Sequence, residues 1–551
     1  MIFTEVKNNA GFKWYENRNV LAKGFLFDEE GNFYKNDKIS SFFKDVVSIE
    51  GFKHKLQVAN GSFAVIVKNE GQIFAAVDTL RSMPLFYIRQ NGTLFVSDDG
   101  WLLARKVNLS EVDEISFNEF LLSGYTIGNH TLLNNLRQIQ AGQYLYYNDE
   151  TQELKIDFYY KHLHGNYFDL DKEEYFEKLD SIYKNVFSRL IKSVRERTIA
   201  IPLSGGYDSR SIAAMLKKFG YENVICFTYG RPESFEVHTS ERVAKEFGYK
   251  WYFVNYADKD DWYKLIGDEK YLFFASNASS LPHVQEYIAL YVLKSKSLVP
   301  EDAVFVPGFS GDLLGGSYVP NEIITGQEYL LFEKGVEDYI FSKYLNLDNN
   351  ISVEHIAKIK ERISKELLEF GVHNVNNALD FDSIVEAFFT NHKVAKFVVN
   401  AVRLYEYFGY DWRMPLWDKE LYEFYYRIPL EYRIVGKNLY NDYLLERLFA
   451  PLGVGFRKRT EVIRLRRKLV GYSKILNEFW NLVRSVYWKL NPNKKGLIDF
   501  NAFSNLYAIC KEQLSLDDIY RLPPSTNKNS IFALWFVSVF LKNAGIFTKK
   551  G

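Results

Sequence analysis

The chain has 551 residues, which is too long for a single hydrophobic core, so we expect two or three domains. Its 69 basic residues balance 69 acidic residues, and a formal net charge of zero disfavours nucleic-acid binding, which needs a basic surface. Two cysteines, Cys226 and Cys510, cannot form a disulfide framework or a thiolate metal site, and they indicate a reducing compartment.

Neither end of the sequence predicts a membrane segment. Residues 1–7 have the pattern of a strand and lack the long apolar core of a signal peptide. The apolar stretch 531–541 is shorter than the ~20 residues that span a bilayer, so it predicts a buried helix. We therefore expect a soluble, cytoplasmic protein.

The first ~160 residues have a β pattern, in which short apolar runs are separated by turn pairs. Segments 62–67 and 72–77 flank a Glu-Gly pair, and segments 85–88 and 93–96 flank an Asn-Gly pair. Each of these arrangements predicts a β-hairpin. The region as a whole predicts a layered, mostly antiparallel β domain.

Near residue 170 the pattern changes to alternating helices and strands. Apolar residues at helical spacing predict an amphipathic helix over 173–195. Short apolar runs at 198–203, 224–229, 251–254 and 303–306 predict strands. This alternation predicts a parallel sheet covered by helices on both faces, and helical patterns dominate after residue 325.

The junction after the first of these strands holds the most informative motif. Residues 203–209 read Leu-Ser-Gly-Gly-Tyr-Asp-Ser and lead from a buried strand into a helix. Glycines let a backbone approach a ligand closely, and a helix N-terminus favours an anion. The Ser204 and Ser209 hydroxyls suit phosphate oxygens, and Asp208 suits a Mg²⁺ ion beside them. The simpler alternative is a helix cap, and the loop lacks the Gly-Lys-Ser/Thr of a Walker motif.

This Ser-Gly-Gly-x-Asp-Ser junction resembles the pyrophosphate-binding loop of the ATP pyrophosphatase superfamily. Residues 303–312, Ala-Val-Phe-Val-Pro-Gly-Phe-Ser-Gly-Asp, followed by Gly315-Gly316, resemble the second loop of the asparagine synthetase family. Residues 411–418, Asp-Trp-Arg-Met-Pro-Leu-Trp-Asp, resemble the family's Glu-x-Arg-x-Pro-Phe-Leu-Asp.

The N-terminal region resembles the same family. Residues 78–87, Asp-Thr-Leu-Arg-Ser-Met-Pro-Leu-Phe-Tyr, are similar to the family's Asp-Arg-x-Gly-x-Lys-Pro-Leu-Tyr-Tyr. The resemblance implies an α/β fold in two domains. Residues 1–165 would form a layered β domain of the Ntn-hydrolase type, similar to class II glutamine amidotransferases. Residues 170–551 would form an ATP pyrophosphatase-type α/β domain with a parallel sheet and a helical C-terminal part.

The resemblance also implies where ATP and Mg²⁺ bind. The implied nucleotide-binding residues are Leu203, Ser204, Gly205, Gly206, Asp208, Ser209, Tyr229 and Gly308. Asp208 and Asp312 are the implied Mg²⁺ ligands. The implied catalytic residues are Asp411 and Lys458, with Arg459 as an alternative to Lys458.

Two departures from the family change the expected reaction. The family's glutaminase uses a cysteine directly after the initiator Met, where this sequence has Ile2, so we expect no glutamine hydrolysis if Met1 is the true start. In the second loop, Phe309 stands where the family has a proton-accepting Glu or Tyr. Phe cannot accept a proton, although a one-residue gap in this loop leaves its alignment open.

The resemblance therefore implies an AMP-forming carbon–nitrogen ligase. The enzyme would activate a substrate carboxylate as an acyl-adenylate, release pyrophosphate, and couple the acyl group to ammonia or an amine without glutamine hydrolysis. The substrate stays open between a sugar or uronic acid, a lasso-peptide precursor and a β-lactam-type precursor. The alternative of another class is an ATP-binding scaffold without turnover. We expect neither a nucleic-acid partner nor a membrane span, and a homodimer or a pathway partner is compatible with the sequence.

Overall fold

The computed structural model describes residues 1–8, 11–347, 351–371, 375–434, 438–456, 502–520, 528–543 and 545. The strands are β1 Ile2–Thr4, β2 Tyr15–Asn17, β3 Val20–Phe27, β4 Phe33–Lys35, β5 Asn60–Asn69, β6 Gln72–Val77, β7 Phe86–Gln90, β8 Thr93–Ser97, β9 Arg137–Gln138, β10 Gln143–Asn148, β11 Glu153–Phe158, β12 Ile199–Pro202, β13 Val224–Gly230, β14 Lys250–Asn255, β15 Val304–Phe305 and β16 Asp411–Trp412.

The α-helices are α1 Asp37–Phe42, α2 Ile49–Val58, α3 Gly100–Lys106, α4 Glu114–Ser123, α5 Lys172–Val194, α6 Tyr207–Lys218, α7 Phe235–Phe247, α8 Asp260–Ile266, α9 Glu269–Ser276, α10 Tyr287–Ser295, α11 Gly311–Leu314, α12 Asn321–Ile324, α13 Tyr329–Lys334, α14 Val336–Tyr344, α15 Val353–Glu369, α16 Ala378–Phe389, α17 Val402–Tyr407, α18 Lys419–Tyr425, α19 Leu439–Tyr443, α20 Phe503–Gln513, α21 Leu516–Tyr520, α22 Lys528–Trp535 and α23 Leu541–Asn543. Further helical turns are π-helical at Thr390–Val398, Leu444–Phe449 and Phe536–Phe540, and 3₁₀ at Val399–Ala401, Pro415–Trp417 and Leu430–Tyr432.

The N-terminal domain contains two sheets. The larger has the strand order β11-β10-β6-β5-β3-β2, with β4 paired to β3, and the smaller has the order β1-β8-β7-β9. Successive side chains of β5 point to opposite faces of the larger sheet, and both faces are buried. Ala64 and Ile66 pack in the core that also holds Ile88 of the smaller sheet, whereas Val65 and Val67 pack in a second core with residues of α1 and α2. Both predicted hairpins, β5–β6 and β7–β8, are confirmed.

The C-terminal half is built on a five-stranded parallel sheet in the order β14-β13-β12-β15-β16. Its central strand β12 is apolar and almost wholly buried, as expected for a parallel sheet covered on both faces. Helix α5 precedes the sheet and begins with a capping box between Asp171 and Glu174. The predicted mixed α/β fold, with layered antiparallel strands before a parallel sheet, is confirmed.

Helices form the rest of the described chain. Helix α16 continues through π and 3₁₀ turns into α17, so residues 378–407 make one helical run. The apolar stretch near the C-terminus is helical, and its buried Phe536 ring lies 5.8 Å from the Phe120 ring of α4. Among the described residues, no helix combines the length and the apolarity needed to cross a membrane.

Candidate active site at the carboxyl edge of the parallel sheet

The Ser-Gly-Gly loop forms a hydrogen-bonded turn between β12 and α6. The Ser204 N–H donates to Ser209 Oγ at 3.0 Å, and the two serine hydroxyl oxygens lie 3.1 Å apart. The Gly206 N–H donates to Ser204 Oγ at 3.2 Å. Leu203 continues the sheet, because its N–H donates to the Phe227 carbonyl at 2.8 Å. This turn holds the N-terminus of α6 at the carboxyl edge of the sheet, where parallel α/β folds bind anionic ligands.

A second loop, residues 307–312, lies directly against the first. A methyl group added to Gly308 would lie 2.7 Å from the Ser209 nitrogen, and one added to Gly311 would lie 2.3 Å from Asp208 Cγ. Both distances are shorter than real Cβ contacts, so glycine is required for the loops to approach this closely. The structure thus brings together the two loops that the sequence separates by about a hundred residues.

We expect Gly311→Ala to lower the ATP-dependent activity of the site by roughly 10²-fold or more, because the methyl group must displace the Asp208 carboxylate. The matched control is Gly315→Ala at the end of the same short helix, where the nearest atom would be the Gly311 carbonyl oxygen at 3.4 Å. ATP–pyrophosphate exchange and thermal melting should be measured for both variants. Equal exchange rates in the two would contradict the predicted displacement.

Two carboxylates, Asp208 and Asp312, belong to the segments where the loops touch. Asp208 Oδ1 accepts a hydrogen bond from the Tyr440 hydroxyl at 3.0 Å, and the exposed Asp312 directly follows Gly311. Burial raises the pKa of Tyr318, and the negative charges of Asp312 and Asp208 raise it further, so both carboxylates act on one ring. Carboxylate oxygens are the ligands that Mg²⁺ prefers. This donor set fits the ion that the family resemblance implies.

Tyr229 lies at the carboxyl end of β13, next to the Ser-Gly-Gly loop. Its hydroxyl donates to Glu286 Oε1 at 3.4 Å, and the Tyr405 hydroxyl donates to Glu286 Oε2 at 2.6 Å. The Tyr229 ring stacks on Tyr256 with 5.0 Å between centroids. Burial raises the pKa of Glu286 to about 7. These contacts fix the Tyr229 ring at the carboxyl edge of the sheet.

Lys458 and Arg459 lie outside the described residues, but the structure places the chain that leads to them. Arg210 of α6 donates to the Gly205 carbonyl at 3.1 Å and to the Phe456 carbonyl at 2.7 Å. Its guanidinium also lies over the Phe456 ring, 4.1 Å from the centroid. Arg210 therefore holds the residue two positions before Lys458 against the Ser-Gly-Gly loop.

Asp411 lies at the opposite edge of the sheet. Strand pairing aligns it with Val304 and with Ile199 at the start of β12, which lies about 17 Å before Ser204 at ~3.3 Å per residue. Its carboxylate contacts Lys35 of the N-terminal domain, Arg413 at 2.6 Å and Arg197 at 3.0 Å. The structure does not bring Asp411 together with the other predicted site residues. Instead, Asp411 is the anion of a buried charge cluster that joins the two domains.

Sequence reasoning missed His283, which lies beside the second loop. Its ring centroid is 6.3 Å from that of Phe309 in an edge-to-face arrangement, and its Nε2 is buried without a hydrogen-bond partner among the described residues. Burial lowers the pKa of His283 to about 4, so the ring is neutral at neutral pH. No local motif marks this residue, because only the fold brings it to Phe309.

Sequence profiles of two known families match the chain. The glutamine amidotransferase domain matches residues 45–160, and asparagine synthase matches residues 185–271, a span that contains the Ser-Gly-Gly loop and Tyr229. Both matches are consistent with an asparagine-synthetase-like protein. The two matches support an ATP-dependent ligase that forms carbon–nitrogen bonds. No curated protein matches the sequence.

Solved structures match parts of the chain. The NH3-dependent NAD synthetase from Campylobacter jejuni is 17% identical, with 38% of this chain and 100% of that chain covered and a TM-score of 0.20. The glutamine PRPP amidotransferase from B. subtilis is 12% identical and has a TM-score of 0.19. The match covers 53% of this chain and 63% of that chain. The glutamine-dependent NAD+ synthetase from Acinetobacter baumannii is 12% identical and has a TM-score of 0.19. The match covers 65% of this chain and 81% of that chain. Such scores are too low to transfer an activity.

Proposed function

We propose that the protein uses ATP to activate a substrate carboxylate as an acyl-adenylate and then couples the acyl group to ammonia or an amine. The observation that carries this proposal is the contact between the two loops at the carboxyl edge of the sheet. It places Gly308 and Gly311 of the second loop against Ser209 and Asp208, at the N-terminus of α6 where the Ser204 and Ser209 hydroxyls also lie. The asparagine synthase match over this region supports the same reaction class.

In this proposal ATP is a substrate, and its pyrophosphate part lies on the Ser-Gly-Gly loop, residues 204–206, and on Ser209. Tyr229 and Gly308 flank the nucleoside. Asp208 and Asp312 hold Mg²⁺, which would offset the negative charge of the phosphates. An oxygen of the substrate carboxylate forms a bond to the α-phosphorus, and the bond between that phosphorus and pyrophosphate breaks. Positioning both reactants in one site supplies much of the rate advantage.

The second half-reaction needs a cation for the tetrahedral intermediate and an acceptor for the proton that the amine loses. We assign the cation to Lys458, with Arg459 as the alternative, because Arg210 holds Phe456 at the loop. Phe309 cannot accept a proton. We assign the acceptor to His283 beside it, because the His283 Nε2 is buried and has no hydrogen-bond partner among the described residues. Asp411 has no chemical role in this scheme.

The N-terminal domain is proposed not to hydrolyse glutamine, since both cysteines of the chain, Cys226 and Cys510, lie outside residues 1–165. The acyl acceptor is then free ammonia or an amine. We take a sugar or uronic acid as the first substrate class to test. A lasso-peptide precursor and a β-lactam-type precursor are the alternatives.

ATP–pyrophosphate exchange with Mg²⁺ tests the proposal, using separate pools of sugar acids, amino acids and peptides. Exchange with one pool would establish acyl-adenylation and identify the carboxylate class. Tight ATP binding without exchange in any pool would instead support the scaffold function, in which ATP is bound and not consumed.

We expect His283→Gln to lower amide formation by about 10²–10⁴-fold while leaving ATP–pyrophosphate exchange unchanged, because adenylation needs no proton acceptor. The substitution keeps the hydrogen bond that the Tyr271 hydroxyl donates to the His283 carbonyl, because that bond does not involve the His283 side chain. The matched control is His238→Gln, since His238 is exposed on α7. An equal loss in both half-reactions would contradict the assignment and indicate a general disturbance of the site.

A further inference from the structure

A small cavity lies between the N-terminal domain and the helical run 378–407. Its walls come from the β6–β7 connection, from the segment after α9, and from residues 395–403 of the helical run. The enclosed space has room for about one small ion or water-sized molecule. Among the described residues, none that lines this cavity belongs to the two loops of the candidate active site.

Three basic side chains line the cavity, and no carboxylate of the described residues does. Arg81, Lys396 and Arg403 are 5%, 1% and 7% exposed, respectively. The other polar lining groups are hydroxyls and side-chain amides, such as those of Ser82 and Asn400. Groups of this kind can all donate hydrogen bonds, so the wall is suited to an anion.

Arg81 is the least satisfied of the three cations. Its Nε is buried and has no hydrogen-bond partner among the described residues, and its Nη2 donates to the Ser279 hydroxyl at 3.4 Å. Burial lowers the pKa of Arg81 to about 9, the charge of Arg403 contributes to this shift, and the charge of Asp78 opposes it. A buried guanidinium without a paired anion is unfavourable, so the site is incomplete without one.

The carboxylates around the cavity are already engaged by other donors. Asp78 accepts from Leu80 and Ser82, Asp98 from Trp14, Asp99 from Leu102, Glu119 from Ile127 and Arg362, Glu366 from Gln140, and Glu406 from Lys23. Asp78 acts on Arg81 through its charge, but no carboxylate of the described residues forms an ion pair with Arg81.

We propose that this cavity binds a small monovalent anion of the size of chloride or formate. Arg81 of the N-terminal domain and Lys396 of the helical run hold the ion from opposite sides of the domain boundary. Lys396 is fixed at the wall because its Nζ donates to the Thr126 and Gly128 carbonyls at 2.7 and 2.6 Å. Since its ligands come from both domains, the bound anion stabilises their contact.

The test measures the melting temperature of the full chain, without ATP, in sodium chloride and in sodium gluconate at equal ionic strength. Gluconate is too large for the cavity, whereas chloride and formate fit. We expect a saturable rise of about 2 °C or more with chloride, because a ligand that binds only the folded state stabilises it by mass action. Equal melting temperatures in the two salts across the concentration range would overturn the proposal.

Substitutions in the cavity test whether chloride raises the melting temperature by binding at this site. Arg81→Met should abolish the chloride response, and the control Arg89→Met, which removes an exposed arginine from β7 of the same domain, should retain it. If Arg81→Met does not fold, Lys396→Met and an anomalous-scattering map of wild-type crystals soaked in bromide take its place. A full chloride response in the cavity variants, or no bromide peak in the cavity, would overturn the site. Neither measurement depends on the proposed ligase activity.

Discussion

Asp208→Asn is expected to reduce pyrophosphate release by roughly 10³-fold or more while leaving the melting temperature nearly unchanged. The substitution removes the charge that would bind Mg²⁺ but keeps the shape, so the close contact with Gly311 and the hydrogen bond from Tyr440 can persist. The assay is ATP–pyrophosphate exchange with the acid pool that supports exchange in the wild-type protein.

The control for Asp208→Asn is Asp302→Asn, which removes an exposed carboxylate from the turn before β15. Its exchange rate should equal that of the wild type. Near-normal exchange by Asp208→Asn would exclude the metal role and leave the loop as a helix cap, the simpler alternative raised by the sequence.

Asp411→Asn is expected to destabilise the protein by about 3 kcal/mol at neutral pH, because it leaves buried and half-buried cations without their anion. Arg413 is 3% exposed, and Lys35 and Arg197 are 20% and 26% exposed. Solvent therefore reduces the free-energy cost of leaving Lys35 and Arg197 without their anion. Urea-induced unfolding measures the change. Activity per folded molecule should be retained, and a loss of activity at unchanged stability would restore the catalytic role implied by the resemblance.

The pH dependence of this effect follows from the pKa of Asp411. Burial alone would raise that pKa, but the charges of Arg413, Lys35 and Arg197 outweigh burial and hold it well below its usual range. A depressed folded-state pKa contributes stability above the unfolded value of about 3.9, and that stability is lost as pH falls through the folded-state pKa. The difference between wild type and Asp411→Asn should thus stay constant from about pH 7 to pH 5 and shrink below about pH 4. A difference that shrinks between pH 7 and pH 5 would point to another titrating group.

The local pattern of the sequence determined the secondary structure that positions the site. Turn pairs between apolar runs located both hairpins of the N-terminal domain, because a two-residue Gly-containing turn restricts the backbone on its own. The apolar run before Ser204 located the central parallel strand, since a strand buried on both faces must be apolar throughout.

Sequence motifs located the two loops of the candidate active site. The structure showed the contacts that require glycine in the second loop. Gly308 and Gly311 are marked in the sequence as members of a pattern, whereas the contacts that require them are made by Asp208 and Ser209, about a hundred residues earlier. Strand order in the parallel sheet creates that contact, because β12 and β15 are neighbours and end at the same edge.

Asp411, His283 and the anion cavity show what the sequence left open. The motif around Asp411 is recognisable from sequence, but only strand register places it beside Val304, in line with Ile199 two strands away, at the amino edge of the sheet. His283 and Phe309 are 26 positions apart, and no periodicity relates them. Composition, local pattern and motif determined the fold class and the Ser-Gly-Gly loop, because these depend on neighbours along the chain. Tertiary structure alone decided which distant side chains share a site, because that depends on strand order and on the packing of one domain against the other.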